Sequence, residues 1–278
     1  MLDLLLPRAE GPEARLMEAM RYAALNGGKR LRPLLVIASS ELFSVSPVGA
    51  HRVAAAIEMV HCYSLVHDDL PCMDDDDLRR GLPTVHRKYD EATAVLAGDG
   101  LLTLAFEVVG ARETHGDPEV RAELVVALGQ AAGARGMVGG QAIDLAAEHQ
   151  QLDIGQITRL QQLKTGALIA FSCEAGAILG KAASTPRHAL KAYAHDLGLA
   201  FQIVDDILDA EGTVESVGKA VGKDAAAGKA TFVSLLGLEK AKLQARMLAD
   251  QAAKHLDIFD AKADVLRQLA HYVVTRRS

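Results

Sequence analysis

The chain has no tryptophan, and aromatic residues of all kinds make up only 4% of its 278 positions. Sandwiches and barrels draw heavily on aromatic and β-branched residues. Their scarcity, with Ala and Leu abundant, argues against a sheet-built core and favours helix packed on helix. Cysteine is also scarce: Cys62, Cys72 and Cys173, an odd number with no CxxC or other metal-ligand spacing. That argues against a disulfide framework and for a reduced, cytoplasmic protein. Positive charge is not in excess either. Thirty Lys and Arg against 36 Asp and Glu leave a formal charge of −6, which argues against a broad nucleic-acid footprint, since that would need a basic face. No uncharged apolar run reaches the roughly 18 residues of a membrane helix. The longest, 165–180, is interrupted by Glu174 and reads as a buried helix. The opening residues Leu2-Asp3-Leu4-Leu5-Leu6-Pro7 are too short and too acidic a stretch for a signal peptide.

What remains is ordinary for a globular protein, with 50% hydrophobic and 24% charged residues. The length suits one large domain or two small ones. Apolar residues recur at helical spacing, which predicts helices over 13–26, 34–43, 48–69, 91–112, 118–137, 153–180, 186–210, 232–256 and 261–274. Gly27-Gly28 stops the first of these and Pro33 suits the first turn of the next. Pro71 ends the third, because its ring clashes with the preceding turn and it offers no N–H. No alternating run demands a sheet, and no low-complexity linker or repeat divides the chain. The expectation is one all-α domain over residues 1–278. The exception is 211–230, where Gly212, Gly218, Gly222 and Gly228 lie among charges and predict a mobile loop.

Two acidic clusters carry the strongest chemical signal. From Asp68 to Asp77 there are six carboxylates in ten residues, in the run Asp68-Asp69-Leu70-Pro71-Cys72-Met73-Asp74-Asp75-Asp76-Asp77. Like charges at this density repel, so a cation should hold them, although a solvated acidic loop would look the same. Carboxylate oxygens suit Mg²⁺, which binds through one or two carboxylates plus substrate phosphates. The second cluster, Asp205-Asp206-Ile207-Leu208-Asp209, sits within an otherwise apolar helical run. Spacings of three and four place Asp205, Asp206 and Asp209 on one face, which is costly unless they are neutralised. Two such clusters can face each other across a helical bundle, a usual place for metal sites.

Basic groups answer them. In Gly27-Gly28-Lys29-Arg30-Leu31-Arg32 the glycines let the backbone approach a ligand, and Lys29 and Arg32 can reach one anion, Arg with a bidentate fork. A helix C-terminus with basic residues for its dipole would share this pattern. Arg79 and Arg80 are adjacent and so point in different directions. Lys164 precedes an apolar run, and Lys219, Lys223 and Lys229 lie on the Gly-rich loop, which could close over phosphate. His61 lies seven residues before Asp68, on nearly the same helix face, where a histidine is more often a core residue. His67 and His86 are read as structural.

GGKRLRP at 27–33, DDLPCMDDDDLRRG at 68–81, GGQAIDL at 139–145, KTGAL at 164–168 and FQIVDDILD at 201–209 together resemble the trans-isoprenyl diphosphate synthase family, most closely its bacterial farnesyl diphosphate members. The resemblance runs from about residue 21 to the C-terminus. It implies an all-α, single-domain helical bundle of the isoprenoid synthase type, a central active-site cavity and a homodimer. It implies three Mg²⁺ ions held by Asp68, Asp69, Asp74, Asp205, Asp206 and Asp209, with Asp69 serving less directly. It assigns isopentenyl diphosphate to Lys29, Arg32, His61 and Arg80. It assigns the allylic diphosphate to Arg79, Lys164, Thr165, Gln202, Lys219 and Lys229, with Lys164, Thr165 and Gln202 closest to the reacting carbon. Arg276 and Arg277 match a basic tail that can close over the site. The implied reaction joins isopentenyl diphosphate to C5 and C10 allylic diphosphates.

In this family the residues four and five before the first Asp line the pocket where product grows. Here they are Ser64 and Tyr63. A large Tyr suits a floor that stops growth at C15, with a C20 product as the alternative. The helical wheel supports this in part: Ser64 lies on the Asp68 face, and Tyr63 is about 140° round from it. A class I terpene cyclase would lack the second DDxxD motif and the Lys29–Arg32 pair. A di-iron bundle would need two Glu-x-x-His pairs, and only Glu58–His61 is present. A non-catalytic regulatory subunit of a heteromeric synthase usually loses an aspartate motif, and this chain keeps both.

Overall fold

The computed structural model describes residues 1–147, 152–211 and 231–276. The predicted loop over 211–230, with Lys219, Lys223 and Lys229, falls outside the described residues apart from Glu211, which ends a helix. Arg277 also lies outside them. The chain divides into two compact units, residues 1–37 with 46–125, and residues 38–45 with 126–278.

The first unit is built around α4 (Pro47–Asp68), with α2 (Ala14–Leu25) and α6 (Glu91–Gly110) packed on it. Pro47 opens α4, where its missing N–H is no loss. From Val53 to Val60 every residue of α4 is buried. A helix buried on all sides shows no one-sided apolar stripe, and Glu58 is the single charged residue in that run. The helix ends at Asp68, as the proline at 71 requires. α6 is capped by Asp90, whose carboxylate accepts the Thr93 N–H at 2.7 Å. Among the described residues it is the one helix long and apolar enough to cross a membrane, but Asp99 and Glu107 interrupt it. His67 is structural, its ring resting on Gly98 and bonding to the Val95 carbonyl at 3.0 Å. α1 (Leu2–Leu5), the start of α3 (Leu31–Glu41) and the short α5 (Val85–Lys88) complete this unit.

A two-stranded hairpin, β1 (Leu78–Arg79) and β2 (Leu82–Pro83), follows α4, with Leu78 opposite Pro83 and Arg79 opposite Leu82. Sequence periodicity gave no hint of it, because each strand is only two residues long. Its turn residues Arg80 and Gly81 both have positive φ, +56° and +77°. Left-handed residues at both central positions mark the hairpin turn whose twist suits flanking strands.

The second unit centres on α11 (Ser184–Glu211), flanked by α10 (Ala167–Leu179), α13 (Leu238–His255) and α14 (Asp264–Thr275). Tyr193 is fully buried and donates its hydroxyl to the Leu266 carbonyl at 2.8 Å. The core beside the second aspartate cluster is formed by Ile203, Val204, Ile207, Phe232 and Leu248, among others.

Two predicted helices are broken and a third changes its winding. The one expected over 118–137 ends at Ala132 as α7 (Pro118–Ala132), and a separate α8 (Met137–Ala147) carries the GGQAIDL segment. The turn between them needs glycine: a Cβ at Gly136 would lie 2.0 Å from the Ala131 carbonyl oxygen. The helix over 153–180 is continuous but holds a π-helical turn, Gln162–Gly166, between α9 (Ile154–Gln161) and α10. The helix over 232–256 is broken at Gly237, φ +80°, into α12 (Phe232–Leu236) and α13.

Candidate active site

In the first unit, the C-terminus of α4 and the segment after it fold back on themselves. The Asp74 N–H donates to the Asp68 carbonyl at 2.8 Å and the Asp76 N–H to the Asp69 carbonyl at 3.2 Å. Asp68 and Asp74 are thereby neighbours at the mouth of the helix, Asp68 half-buried and Asp74 exposed. Asp69 is different. Its carboxylate is buried and accepts both Nε (2.9 Å) and Nη2 of Arg79, which also reaches Asp76. Burial pushes the Asp69 carboxyl above its usual range and the Arg79 hydrogen bonds pull against that. Asp69 therefore holds Arg79 in place.

Arg80 turns the other way, as adjacency predicted. It donates to the Gly27 carbonyl at 2.6 Å, and its guanidinium fills the space a Cβ on Gly28 would need, 2.6 Å away. The loop it meets is left-handed at Gly27 (φ +71°), Gly28 (+109°) and Arg30 (+52°). Such backbone is strained for arginine and concentrates at ligand-binding sites. Arg30 donates to Glu58 at 2.5 Å and to the Ala24 carbonyl at 2.8 Å. Near this loop, burial and the charges of Arg32, Arg80, Arg79 and Arg30 push the His61 imidazole well below its usual range, so it is neutral at pH 7. Several cations and a neutral imidazole are gathered close together, which suits an anion.

Tyr63 is buried, its ring edge-on to His67 with centroids 5.7 Å apart, and burial raises its phenol to about 12. Ser64 donates to the His61 carbonyl at 2.9 Å.

In the second unit the π-helical turn presents Lys164 and Thr165. Lys164 Nζ donates to Asp144 Oδ2 at 2.7 Å. Thr165 Oγ1 donates to Gln202 Oε1 at 3.2 Å, and Gln202 Nε2 donates to Asp206 Oδ1 at 3.1 Å. The other Asp206 oxygen accepts the Phe232 N–H at 2.9 Å. One hydrogen-bonded chain thus runs from the π turn through the second aspartate cluster to the start of α12. Such turns recur at functional sites. This one is gripped by glycine on two sides: a Cβ at Gly140 would lie 2.2 Å from the Lys164 backbone nitrogen, and one at Gly198 would lie 3.3 Å from Gly166 Cα.

The three aspartates of this cluster part company. Asp206 is buried with both oxygens committed, whereas Asp205 and Asp209 are partly exposed. Asp205 also carries Arg276, which donates at 2.6 Å and stacks over the Phe201 ring at 4.0 Å. Hard, partly exposed carboxylate oxygens at Asp68, Asp74, Asp205 and Asp209 fit Mg²⁺. Among the described residues no three His, Cys, Asp or Glu side chains converge as a self-sufficient metal cage.

Arg30 and Asp144 carry no assigned role in the sequence reading, and Glu58 enters it only as half of the single Glu-x-x-His pair. The signal for Glu58 was present, as one acid in the apolar run Val53 to Val60. Asp144 stood in a quoted motif without a role.

Comparison with known proteins decides the family. The sequence model described as polyprenyl synthetase matches residues 13–270. The chain belongs to the polyprenyl synthetase family. The synthase is thus a prenyltransferase with the all-α architecture expected of it. It is 44% identical over 276 residues to the farnesyl diphosphate synthase of Geobacillus stearothermophilus, covering 99% of this chain and 93% of that one. It is 45% identical to geranylgeranyl pyrophosphate synthase 3, chloroplastic, of Arabidopsis thaliana, covering 100% and 78%. Among solved structures, an FPP/GFPP synthase from Zymomonas mobilis in its apo form aligns with TM-score 0.90 at 56% identity, covering 99% and 93%.

Proposed function

We propose that the synthase joins isopentenyl diphosphate to C5 and C10 allylic diphosphates and stops at farnesyl diphosphate, working in the cytoplasm as a magnesium-dependent homodimer and as one functional domain over residues 1–278. The observation that carries this is the gathering of Arg30, Arg32, Arg79 and Arg80 around His61, with the Arg80 guanidinium packed on the Gly27-Gly28 turn. A second anion site of that kind is what condensation needs and what cyclisation of a single allylic diphosphate does not.

Lys29, Arg32, His61 and Arg80 bind isopentenyl diphosphate. Arg79, fixed by Asp69, and Lys164, fixed by Asp144, hold the allylic diphosphate, joined by Lys219 and Lys229. Asp68, Asp74, Asp205 and Asp209, with Asp69 and Asp206 behind them, would hold three magnesium ions, which would supply charge neutralisation for the departing diphosphate. The allylic C1–O bond breaks and its electron pair leaves with diphosphate. Lys164 and the hydrogen-bonded Thr165–Gln202 pair lie closest to the positive carbon. The isopentenyl double bond then attacks C1, and a proton passes to the released diphosphate. This is positioning plus electrostatic stabilisation, with no side-chain nucleophile.

Tyr63 and Ser64 set the length limit. The C20 alternative is favoured by the similarity to the Arabidopsis protein. Product analysis separates the two. With Mg²⁺ and isopentenyl diphosphate, C5 and C10 primers should both give C15, and a C15 primer should not be extended. Growth to C20 would remove the Tyr63 floor.

A further inference from the structure

Glu58 is 3% exposed in the middle of an otherwise apolar buried run. A carboxylate there is costly unless paired, and its partner is Arg30 at 2.5 Å. Stability alone does not account for such a pair, because apolar residues of similar volume commonly serve as well or better. The location does. Arg30 has φ +52° and joins two ends of the loop: one nitrogen is on Glu58 and the other on the Ala24 carbonyl in the last turn of α2. On one side of Arg30 stands Lys29, and two residues beyond it is Arg32. Gly28 before it is packed against Arg80. His61, three residues after Glu58 on the same helix, feels the charges of Arg30, Arg32, Arg79 and Arg80.

We infer that Glu58 is a positioning residue for isopentenyl diphosphate. Through Arg30 it locks the 27–30 backbone, left-handed at Gly27, Gly28 and Arg30, which aims Lys29 and Arg32, and it neutralises one cation of the cluster so that the others can stand close together. The inference rests on the assignment of isopentenyl diphosphate to Lys29, Arg32, His61 and Arg80.

The two roles a carboxylate could have here predict opposite signs. If Glu58 mattered only by charge, removing it would raise the local positive potential and tighten diphosphate binding. If it positions the loop, removing it weakens binding, while Glu58→Gln, which keeps an oxygen for Arg30 to bond, largely preserves it. The test is steady-state kinetics of Glu58→Leu and Glu58→Gln with each substrate varied in turn, alongside thermal unfolding and an Arg32→Gln control. Glu58→Leu should raise KM for isopentenyl diphosphate by about tenfold, in keeping with the cost of small misplacements, and move KM for the C10 allylic diphosphate by less than twofold. Glu58→Gln should stay within about threefold on both. An Arg30→Met/Glu58→Leu double variant should recover thermal stability without recovering KM. Equal rises in both KM values, or a lower KM for isopentenyl diphosphate, would overturn the inference while leaving the site assignment intact. An unchanged isopentenyl KM in Arg32→Gln would overturn the assignment itself, and this inference with it.

Discussion

Gly140→Ala is expected to cost the synthase most of its turnover, on the order of 10- to 100-fold, and about 1–3 kcal/mol of stability from overpacking. The reason is geometric. The added Cβ would lie 2.2 Å from Lys164 N, 2.5 Å from its Cα and 2.8 Å from its Cβ. None of these atoms can swing aside as a side-chain tip can, so the π turn as a whole must move. Moving it strains the Lys164–Asp144 bond at 2.7 Å and the Thr165–Gln202 bond at 3.2 Å. The small gain in helix propensity from Gly to Ala, about 1 kcal/mol, does not offset this. Gly100→Ala is the control. There the nearest atom is Met20 Sδ at 2.9 Å, with the methyl at 3.2 Å, and a flexible thioether adapts. Steady-state kinetics and melting temperatures should therefore separate the two variants widely, although both are Gly-to-Ala changes within helices.

The aspartates of the second cluster should separate in a different way. Asp205→Asn should lower kcat by about 10²–10³, the scale of losing one preorganised electrostatic group, with little change in melting temperature because its side chain is partly exposed and the amide oxygen still accepts from the buried Arg276 guanidinium. Asp206→Ala should lower both. Its two oxygens hold Gln202 and the Phe232 N–H, and a buried N–H left without a partner costs about 1–3 kcal/mol. Parallel kinetics and calorimetry on the two variants check this. Equal thermal effects would mean that Asp206 is not the anchor its hydrogen bonds describe.

This division was invisible in the sequence. Spacing placed Asp205, Asp206 and Asp209 on one face, and a face spans enough arc for its edge to be buried while its centre is open. The acid-rich segment after α4 was legible as chemistry, but not the exchange that ties Asp69 to Arg79, since hydrogen-bond partners ten residues apart leave no periodic trace. Helix limits set by proline were read well: α4 begins at Pro47 and ends three residues before Pro71. Limits set by glycine were not. Gly133 and Gly136 break one predicted helix and Gly237 another, because glycine inside a helical pattern is tolerated as often as it terminates one. The π turn at Gln162–Gly166 inserts a single extra residue per turn, too small a change to disturb an apolar pattern. The two-residue strands around Arg80 and Gly81 are too short for any alternation to register. What the sequence conveyed best were the charged motifs, whose meaning depends on composition within a few residues rather than on packing.

The central claim is that the gathered cations and the two aspartate clusters serve magnesium-dependent condensation of two diphosphates. The most direct test follows labelled isopentenyl diphosphate and free diphosphate together, with the C10 allylic diphosphate as primer, in Mg²⁺, in EDTA, and in EDTA after Mg²⁺ is restored. The account predicts one diphosphate released for each isopentenyl unit joined, no joining in EDTA, and recovery when magnesium returns. Diphosphate released without joining, or joining that persists in EDTA, would contradict it.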